Sequence, residues 1–215
     1  VCDEAATGRM KGNPVREDID SVAEFCPIDY IVNVVLSEHK KILKSFDGHY
    51  LRAHREGCKF LDTLYKVKIH EKAEIVVASA GGYPKDMNLY QAQKGLDNSK
   101  FALKDGGVVV LVASCIEGLE NKKFERWMTT MTPEQMIVEV KEHFELGGHK
   151  AAAISMILQK ADIYLVSDME DALVEQLFMK PFHSVQAAYD AAVEKCGADA
   201  TVLVMPYGGS TLPQI

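Results

Sequence analysis

From residue 72 onward, short apolar runs of strand length alternate with segments of helical periodicity, and this alternation restricts the possible folds more than any other feature. The apolar runs carry few polar residues, which is typical of strands buried on both faces of a parallel sheet. Four such runs are AEIVVASA, GGVVVLVAS, ADIYLVSD and ATVLVMP. The pattern predicts an α/β fold, with a parallel sheet as the middle of a Rossmann-like three-layer C-terminal domain.

The position of a site within such a sheet follows from its connections. Right-handed crossovers place the carboxyl ends of all parallel strands on one edge, and ligands of open α/β sheets bind at that edge. This geometry would hold for almost any chemistry. The stretches expected to converge there are GGYPKD at 81–86, CIEG at 115–118, DMED at 168–171 and PYGGST at 206–211.

The first 70 residues follow a different pattern, αββα. NPVREDIDSVAEFCP begins with an asparagine that can cap a helix and ends at a proline, which predicts a helix. Two strand-like runs, DYIVNVVLS and KKILKSFDG, flank Glu38-His39, where we predict a hairpin turn. HYLRAHREGCKFLDTLY then predicts a helix that is interrupted or kinked near Gly57. The resulting division is a small α+β segment at 1–70 and an α/β domain at 71–215.

Charge and composition exclude several classes of partner. The formal net charge is −7, and we find no local Lys/Arg cluster, so neither nucleic acid nor an anionic membrane surface is expected as a partner. No apolar run approaches the ~20 residues needed to span a bilayer. Five scattered cysteines without a C-x-x-C pair predict reduced thiols in a cytoplasmic protein. The histidines lack H-x-x-x-H and H-E-x-x-H spacing, so no metal site is predicted within the chain.

GGYPKDMNLYQAQK at 81–94 leads from the first of these strands into a predicted helix, MNLYQAQKGLDNSKFALK. It matches neither G-x-G-x-x-G nor G-x-x-x-x-G-K-[ST], so its glycines alone favour an ordinary turn over a nucleotide site. The helix side opposite the sheet-facing leucines carries Tyr90, Gln91, Lys94 and Phe101. Two aromatic residues there indicate that something covers this side. The pattern does not choose between a domain interface and a site where Lys94 binds an anion.

Two further stretches have both a structural and a functional interpretation. His149 and Lys150 follow two glycines at a predicted helix start, where free backbone N–H groups attract anions. A lone histidine is nevertheless more often structural than functional. The closing YGGST could bind an anion through backbone N–H groups or form a flexible tail.

Five stretches of the chain match motifs of one known family. They are GNPVRED at 12–18, IVNVVL at 31–36, AHREGC at 53–58, GGYPKDMNLYQAQK at 81–94 and GGHKA at 147–151. With these stretches the chain resembles the nickel-dependent lactate racemase family. The resemblance implies an isomerase whose nickel-pincer nucleotide takes a hydride from the α-carbon of a 2-hydroxy acid and returns it to either face. A pair of histidines in the family acts as general base and acid on the hydroxyl.

The resemblance also implies roles for individual residues. Tyr90, Gln91 and Lys94 match a tyrosine, a glutamine and a lysine that face the family's active site. Lys94 is then expected to bind the substrate carboxylate, while Tyr90 and Gln91 line the pocket. His149 is a further candidate for a catalytic role, at a position where family members vary.

Other motifs of the family are absent from this sequence. The cofactor-tethering lysine, the nickel-ligating histidine and the two catalytic histidines belong to an amino-terminal domain, whose D-D-x-T-R-P, G-x-H-R and asparagine–histidine motifs do not occur here. Residues 1–70 are therefore expected to be the tail of that domain, and 71–215 the whole C-terminal domain.

This absence sets the expected partners. They are a small 2-hydroxy acid and the missing amino-terminal domain. This chain alone is expected to bind no cofactor, and it is not expected to racemise lactate. One alternative is a non-catalytic anion- or nucleotide-binding α/β module. Others are a nicotinamide-dependent enzyme, which the missing G-x-G-x-x-G disfavours, and a structural interaction domain without a pocket.

Overall fold

The structure is a computed structural model that describes residues 4–37 and 39–215. The chain divides into two compact units, Val1–Lys66 and Val67–Ile215. The predicted assignment of 1–70 to another, larger domain stays a prediction.

The first unit has the predicted order of helix, hairpin and helix. Its first helix begins after Asn13, whose side chain accepts hydrogen bonds from two backbone N–H groups of the first turn. The hairpin is antiparallel, and Glu38 of its predicted turn lies outside the described residues. The elements are α1 (Pro14–Phe25), β1 (Ile31–Leu36), β2 (Ile42–Gly48) and α2 (Tyr50–Tyr65).

Helix α2 is continuous, so the predicted interruption near Gly57 is wrong. A Cβ atom on Gly57 would lie 3.5 Å from Cδ2 of Phe46, which belongs to β2. The glycine faces a buried aromatic side chain of the hairpin, and the helix passes through it without using its conformational freedom.

The second unit is built around a five-stranded parallel sheet of order β7-β6-β5-β4-β8, which confirms the predicted α/β fold. A separate two-stranded sheet pairs β3 with β9. The elements from Lys66 onward are β3 (Lys66–Lys68), β4 (Ala73–Ser79), α3 (Leu89–Ser99), β5 (Leu103–Val112), α4 (Lys122–Thr130), α5 (Pro133–Glu142), α6 (Gly148–Leu158), β6 (Asp162–Val166), α7 (Asp171–Gln176), β7 (Lys180–Phe182), α8 (Val185–Cys196), β8 (Val202–Met205) and β9 (Leu212–Gln214).

The four predicted strands correspond to β4, β5, β6 and β8. Strand β7 was not predicted, because three residues that include Pro181 give no strand signal. It lies at the edge of the sheet, where a proline is tolerated because its missing N–H need not pair with a further strand.

Helices cover both faces of the sheet. Val109 and Leu111 of β5 belong to a core cluster that includes residues of α3, α4, α5 and α6. Val108 and Val110 belong to a second cluster that includes alanines of α8. Successive side chains of a strand point to opposite faces, so these continuously apolar runs build the two cores of a three-layer domain.

Helix α3 ends at Ser99, earlier than predicted. The Asn98 side chain donates a hydrogen bond to the carbonyl oxygen of Gly208, at 2.8 Å. The backbone N–H groups of Phe101 and Ala102 bond three residues back, which tightens the chain after the last turn. Phe101 therefore lies beyond the helix, and Leu103 begins β5, so the predicted placement of both on this helix is wrong.

The sequence predicted reduced cysteines and no membrane-spanning segment. In the described ranges, no helix is long and apolar enough to cross a membrane. Cys26, Cys58, Cys115 and Cys196 are free thiols, and Cys2 lies outside the described residues.

Candidate functional site

The loops at the carboxyl edge of the parallel sheet come together as predicted. The backbone N–H of Cys115 donates to the carbonyl oxygen of Asp86 at 2.7 Å, which joins the loops after β4 and β5. The Ser114 hydroxyl donates to Oδ2 of Asp168 at 2.6 Å, which joins the loops after β5 and β6.

A cavity of about 170 Å³ lies beside the loops that follow β4 and β8, two neighbouring strands. Gly208 permits a close approach there, because a Cβ atom on it would lie 3.0 Å from the Ser79 carbonyl oxygen and 3.4 Å from the Cα of Gly95. We call this space the Lys94 cavity. Its lining residues are Ala80, Lys85, Gln91, Lys94, Gly95, Gly209 and Ser210.

The first turn of α3, which carries Gln91 towards this cavity, is anchored by the buried side chain of Asn88. Its Oδ1 accepts a hydrogen bond from the backbone N–H of Gln91 at 2.9 Å, a capping contact. Its Nδ2 donates to Oε2 of Glu117 at 3.2 Å. The turn is therefore tied to the loop after β5, which orients the side chains that follow.

Gln91 and Lys94 share the cavity, as expected from their spacing of three on one helix. Nζ of Lys94 donates to Oε1 of Gln91 at 3.2 Å. An ammonium group with an amide N–H group beside it can bind a carboxylate through charge-assisted hydrogen bonds. Lys85 also lines the cavity and was not singled out from the sequence. The assignment of these residues to a substrate stays a prediction.

Tyr90 is not among the residues that line the Lys94 cavity. Its ring meets the ring of Phe124 edge-on, with centroids 5.6 Å apart. Nζ of Lys150 lies 3.9 Å from the Tyr90 ring centroid and donates to the Tyr90 carbonyl oxygen at 2.5 Å. The cover predicted for the aromatic side of α3 thus comes, at Tyr90, from α4 and α6 of the same unit. Substrate binding by Tyr90 stays a prediction.

His149 is held by a tight turn at the start of α6. Its Nδ1 atom accepts a hydrogen bond from the Gly147 backbone N–H at 3.1 Å, so the neutral ring carries its proton on Nε2. Burial, and then the positive charge of Lys150, lower the pKa of His149 below its ordinary value. His149 is not among the lining residues of the Lys94 cavity, and a catalytic role for it stays a prediction.

The two glycines before His149 allow this turn. Gly147 has a φ of 106°, which a side chain would strain. A Cβ atom on Gly148 would lie 2.5 Å from Cε2 of Trp127, so only a glycine lets α6 approach the indole ring. Nε1 of Trp127 in turn donates to Oε2 of Glu145 at 2.9 Å.

The described residues do not fit a nickel site. Within 4–37 and 39–215, no three or more His, Cys, Asp or Glu side chains are grouped so that they could hold a metal ion. Cys115, at the carboxyl edge, is buried, and burial raises the pKa of its thiol to about 12, which disfavours the thiolate that a metal requires. No step of a reaction is therefore assigned to a metal centre in these residues.

A second cavity, of about 400 Å³, lies where the amino ends of β4 and β5 meet the carboxyl ends of α3 and α6. Four lysines that are scattered along the chain line it, because the topology brings them together. The expectation that neither nucleic acid nor an anionic membrane is a partner stays a prediction. Lys100 and Lys104 pair with Asp97 and Glu74, and the helix ends carry partial negative charge, so the site has little excess positive charge. The four lysines are Lys72, Lys100, Lys104 and Lys160.

Sequence comparisons relate the chain to lactate racemases. The family model described as the lactate racemase C-terminal domain matches residues 68–212. The lactate racemase of Thermoanaerobacterium thermosaccharolyticum is 30% identical over 214 residues, which cover 97% of this chain and 50% of that protein. The lactate racemase of Lactiplantibacillus plantarum is 30% identical over 210 residues, which cover 95% and 49%. The chain spans about half the length of the curated relatives it matches.

Structural comparison gives a consistent result. The solved lactate racemase apoprotein from Thermoanaerobacterium thermosaccharolyticum superposes with a TM-score of 0.93 at 30% identity, over 100% of this chain and 52% of that chain. A solved protein from Thermotoga maritima superposes with a TM-score of 0.62 over 94% of this chain and 54% of its own. At 16% identity, the second match shows a similar fold alone.

Proposed function

The chain belongs to the family of lactate racemase C-terminal domains, and on this premise we propose that it is the C-terminal part of a nickel-pincer-dependent 2-hydroxy-acid racemase or epimerase. In this proposal the Lys94 cavity forms the substrate-carboxylate side of the active site. One observation carries it: α3 and the loops after β4 and β8 bring Lys94 and Gln91 into one small cavity at the carboxyl edge of the sheet.

The residues of the cavity suit a small hydroxy acid. The Lys94 ammonium would bind the carboxylate, and the Gln91 amide, which already accepts from Lys94, would donate its N–H groups to a carboxylate or hydroxyl oxygen. A volume of about 170 Å³ lies below the ~300–1,000 Å³ of pockets for drug-sized ligands. The cavity therefore favours a substrate of few atoms, held in one orientation by its carboxylate.

The remaining machinery is proposed to lie in an amino-terminal domain. That domain would hold the nickel-pincer nucleotide, which when bound supplies the hydride acceptor, together with the tethering lysine and the acid–base histidines. Residues 1–70 would be its tail, because α1 has no buried side chain in the described structure and its apolar face includes Val15, 53% exposed, and Ile19, 52% exposed. An apolar face of this kind calls for a covering partner. The scattered cysteines favour the cytoplasm for the parent protein.

The test is carboxylate binding by the chain itself. We expect L-lactate, titrated at low ionic strength and followed by NMR chemical shifts of the Gln91 side-chain amide, to bind wild-type protein. Lys94→Gln should weaken the affinity about tenfold or more, because a hydrogen bond to a charged group is lost. Lys141→Gln, which removes an exposed lysine of α5, serves as the matched control.

The outcome also separates the proposal from its alternative. If Lys94→Gln and Lys141→Gln bind lactate equally well, the proposed function is wrong. Binding of a mononucleotide that is unaffected by Lys94→Gln would instead favour a non-catalytic nucleotide-binding module.

A further inference from the structure

The Lys94 cavity contains a second lysine, Lys85, to which the proposed function gives no role. A Cβ atom on Gly81 would lie 3.6 Å from Cδ and 4.0 Å from Nζ of Lys85, so this side chain lies along the start of the loop. Backbone hydrogen bonds anchor the loop at Lys85 and at the residue that follows it. The Lys85 backbone N–H donates to the Gly82 carbonyl oxygen at 2.8 Å, and Asp86 accepts from Cys115. The backbone of Lys85 is therefore held at the carboxyl edge of the sheet.

Among the described residues, neither lysine of this cavity has a carboxylate partner that would neutralise its charge. Six other lysines lie within 4 Å of a carboxylate oxygen, whereas neither Lys85 nor Lys94 has such an ion pair in the part of the chain that the structure describes. The other lining residues of the cavity are neutral. The six paired lysines are Lys59, Lys66, Lys100, Lys104, Lys123 and Lys195.

This arrangement concentrates positive potential in one small space. A chain with a formal net charge of −7 places two ammonium groups around a cavity of about 170 Å³ without an acidic side chain in its lining. Charges of one sign that line a cleft focus the field there and raise the local concentration of the opposite ion. One carboxylate would neutralise one of the two charges.

We propose that Lys85 is a second anion-binding position of the Lys94 cavity, so that the cavity binds two negative groups at once. The proposal rests on the proposed function, in which Lys94 binds the carboxylate of a 2-hydroxy acid. The substrate class that satisfies both lysines is a 2-hydroxy acid with a second carboxylate. Lactate has a single carboxylate and would leave Lys85 without a partner. The same chemistry at Lys85 could come from a phosphate of a bound nucleotide.

The experiment compares two acids on the full chain. L-Lactate and L-malate are titrated at equal, low ionic strength, with NMR shifts as the readout. We expect malate to bind about tenfold more tightly, because a second charge-assisted contact is added. Lys85→Gln should reduce the ratio of the two affinities to about one, and Lys85→Arg, which keeps the charge, should preserve much of it. Lys141→Gln should leave the ratio unchanged.

A second arm identifies the source of the second anion. If AMP binds together with lactate and Lys85→Gln abolishes AMP binding, the second group is a phosphate. If malate alone depends on Lys85, the second group is the substrate's own carboxylate. Either result supports a second anion position. The proposal is overturned if neither malate preference nor AMP binding responds to Lys85→Gln.

These outcomes are separable from failure of the proposed function. Lactate binding that does not depend on Lys94 would contradict the proposed function itself. If lactate binding depends on Lys94 but no second anion depends on Lys85, only the inference about Lys85 is contradicted. Lys85 is exposed, so its substitution leaves the core intact.

Discussion

His149 illustrates how a single residue acquires its properties from its neighbours. The Gly147 backbone N–H fixes its Nδ1 atom, and burial together with the Lys150 charge disfavours the protonated ring. The pKa of His149 in the folded protein therefore lies below the ordinary value of 6.5. The ordinary value applies to the unfolded chain. Between the two pKa values the unfolded chain therefore binds a proton at His149 more readily than the folded protein does. The free energy of unfolding decreases as the pH falls through this interval.

The corresponding prediction concerns stability against pH. Between about pH 7.5 and about pH 5.5, wild-type protein should lose more of its free energy of unfolding than His149→Gln, because the variant has no proton to exchange at this position. Urea unfolding at both pH values measures the difference. His70→Gln, which removes an exposed histidine of the same unit, is expected to lose as much stability as the wild type. Equal acid losses in wild type and His149→Gln would contradict the prediction.

At the scale of elements, the packing of α3 against the segment after β8 decides where the cavity forms. Gly208 and Gly95 are the residues that allow the backbones to approach, and the Asn98 side chain bonds to the Gly208 carbonyl. Any side chain at 208 would therefore push the two elements apart, at the same place where Lys94 and Gly209 line the cavity.

This packing predicts that alanine at two adjacent glycines will affect the free energy of unfolding to different extents. Gly208→Ala should lower the free energy of unfolding by about 1–3 kcal/mol, because its Cβ atom would meet the Ser79 carbonyl oxygen at 3.0 Å. Gly209→Ala is the control, since its nearest neighbours would be 3.8 and 3.9 Å away. Both values come from urea unfolding at neutral pH. A loss of stability of the same size in both variants would show that the close approach at Gly208 is not the cause.

At the scale of the whole molecule, the two units differ in how well they bury their own apolar residues. The second unit has core clusters on both faces of its sheet. In the first unit, none of the described α1 side chains is buried, and Phe25 is 86% exposed. We therefore predict that a fragment covering 66–215 folds on its own with a single cooperative urea transition.

The matching fragment, residues 1–66, should lack such a transition, because chains of this size with few buried residues are marginal. Circular dichroism during urea titration of the two fragments checks both statements. An unfolded 66–215 fragment, or a cooperatively folded 1–66 fragment, would contradict this division of stability.

A second prediction at this scale concerns activity. The chain alone, with or without added nickel salt, should not interconvert D- and L-lactate, because the motifs for the cofactor tether and the acid–base pair are absent from it. Chiral chromatography of the incubated acid is the measurement, with the full-length Thermoanaerobacterium thermosaccharolyticum lactate racemase as the positive control. Interconversion by the purified chain would overturn the prediction.

Much of the architecture was readable from local sequence, because the signals that carry it are local. Apolar runs predicted β4, β5, β6 and β8, and the capping asparagine predicted the start of α1, where the Asn13 side chain accepts two backbone hydrogen bonds. The role expected for Lys94 came from resemblance, since periodicity alone left an interface and an anion site equally open.

Tertiary structure decided the features that depend on residues far apart in the chain. The end of α3 involves a bond from Asn98 to a carbonyl 110 residues later, and no spacing within the helix encodes that partner. The Lys94 cavity joins Lys85 to Gly209 and Ser210 in the same way. The sequence by itself therefore determined that the protein has a parallel sheet, and it predicted that any site would lie at the carboxyl edge. Only the packing of α3 on the segment after β8 formed the cavity that Lys85 and Lys94 share. Close backbone contacts between distant segments leave no periodic signal in the chain, so the sequence could not show it.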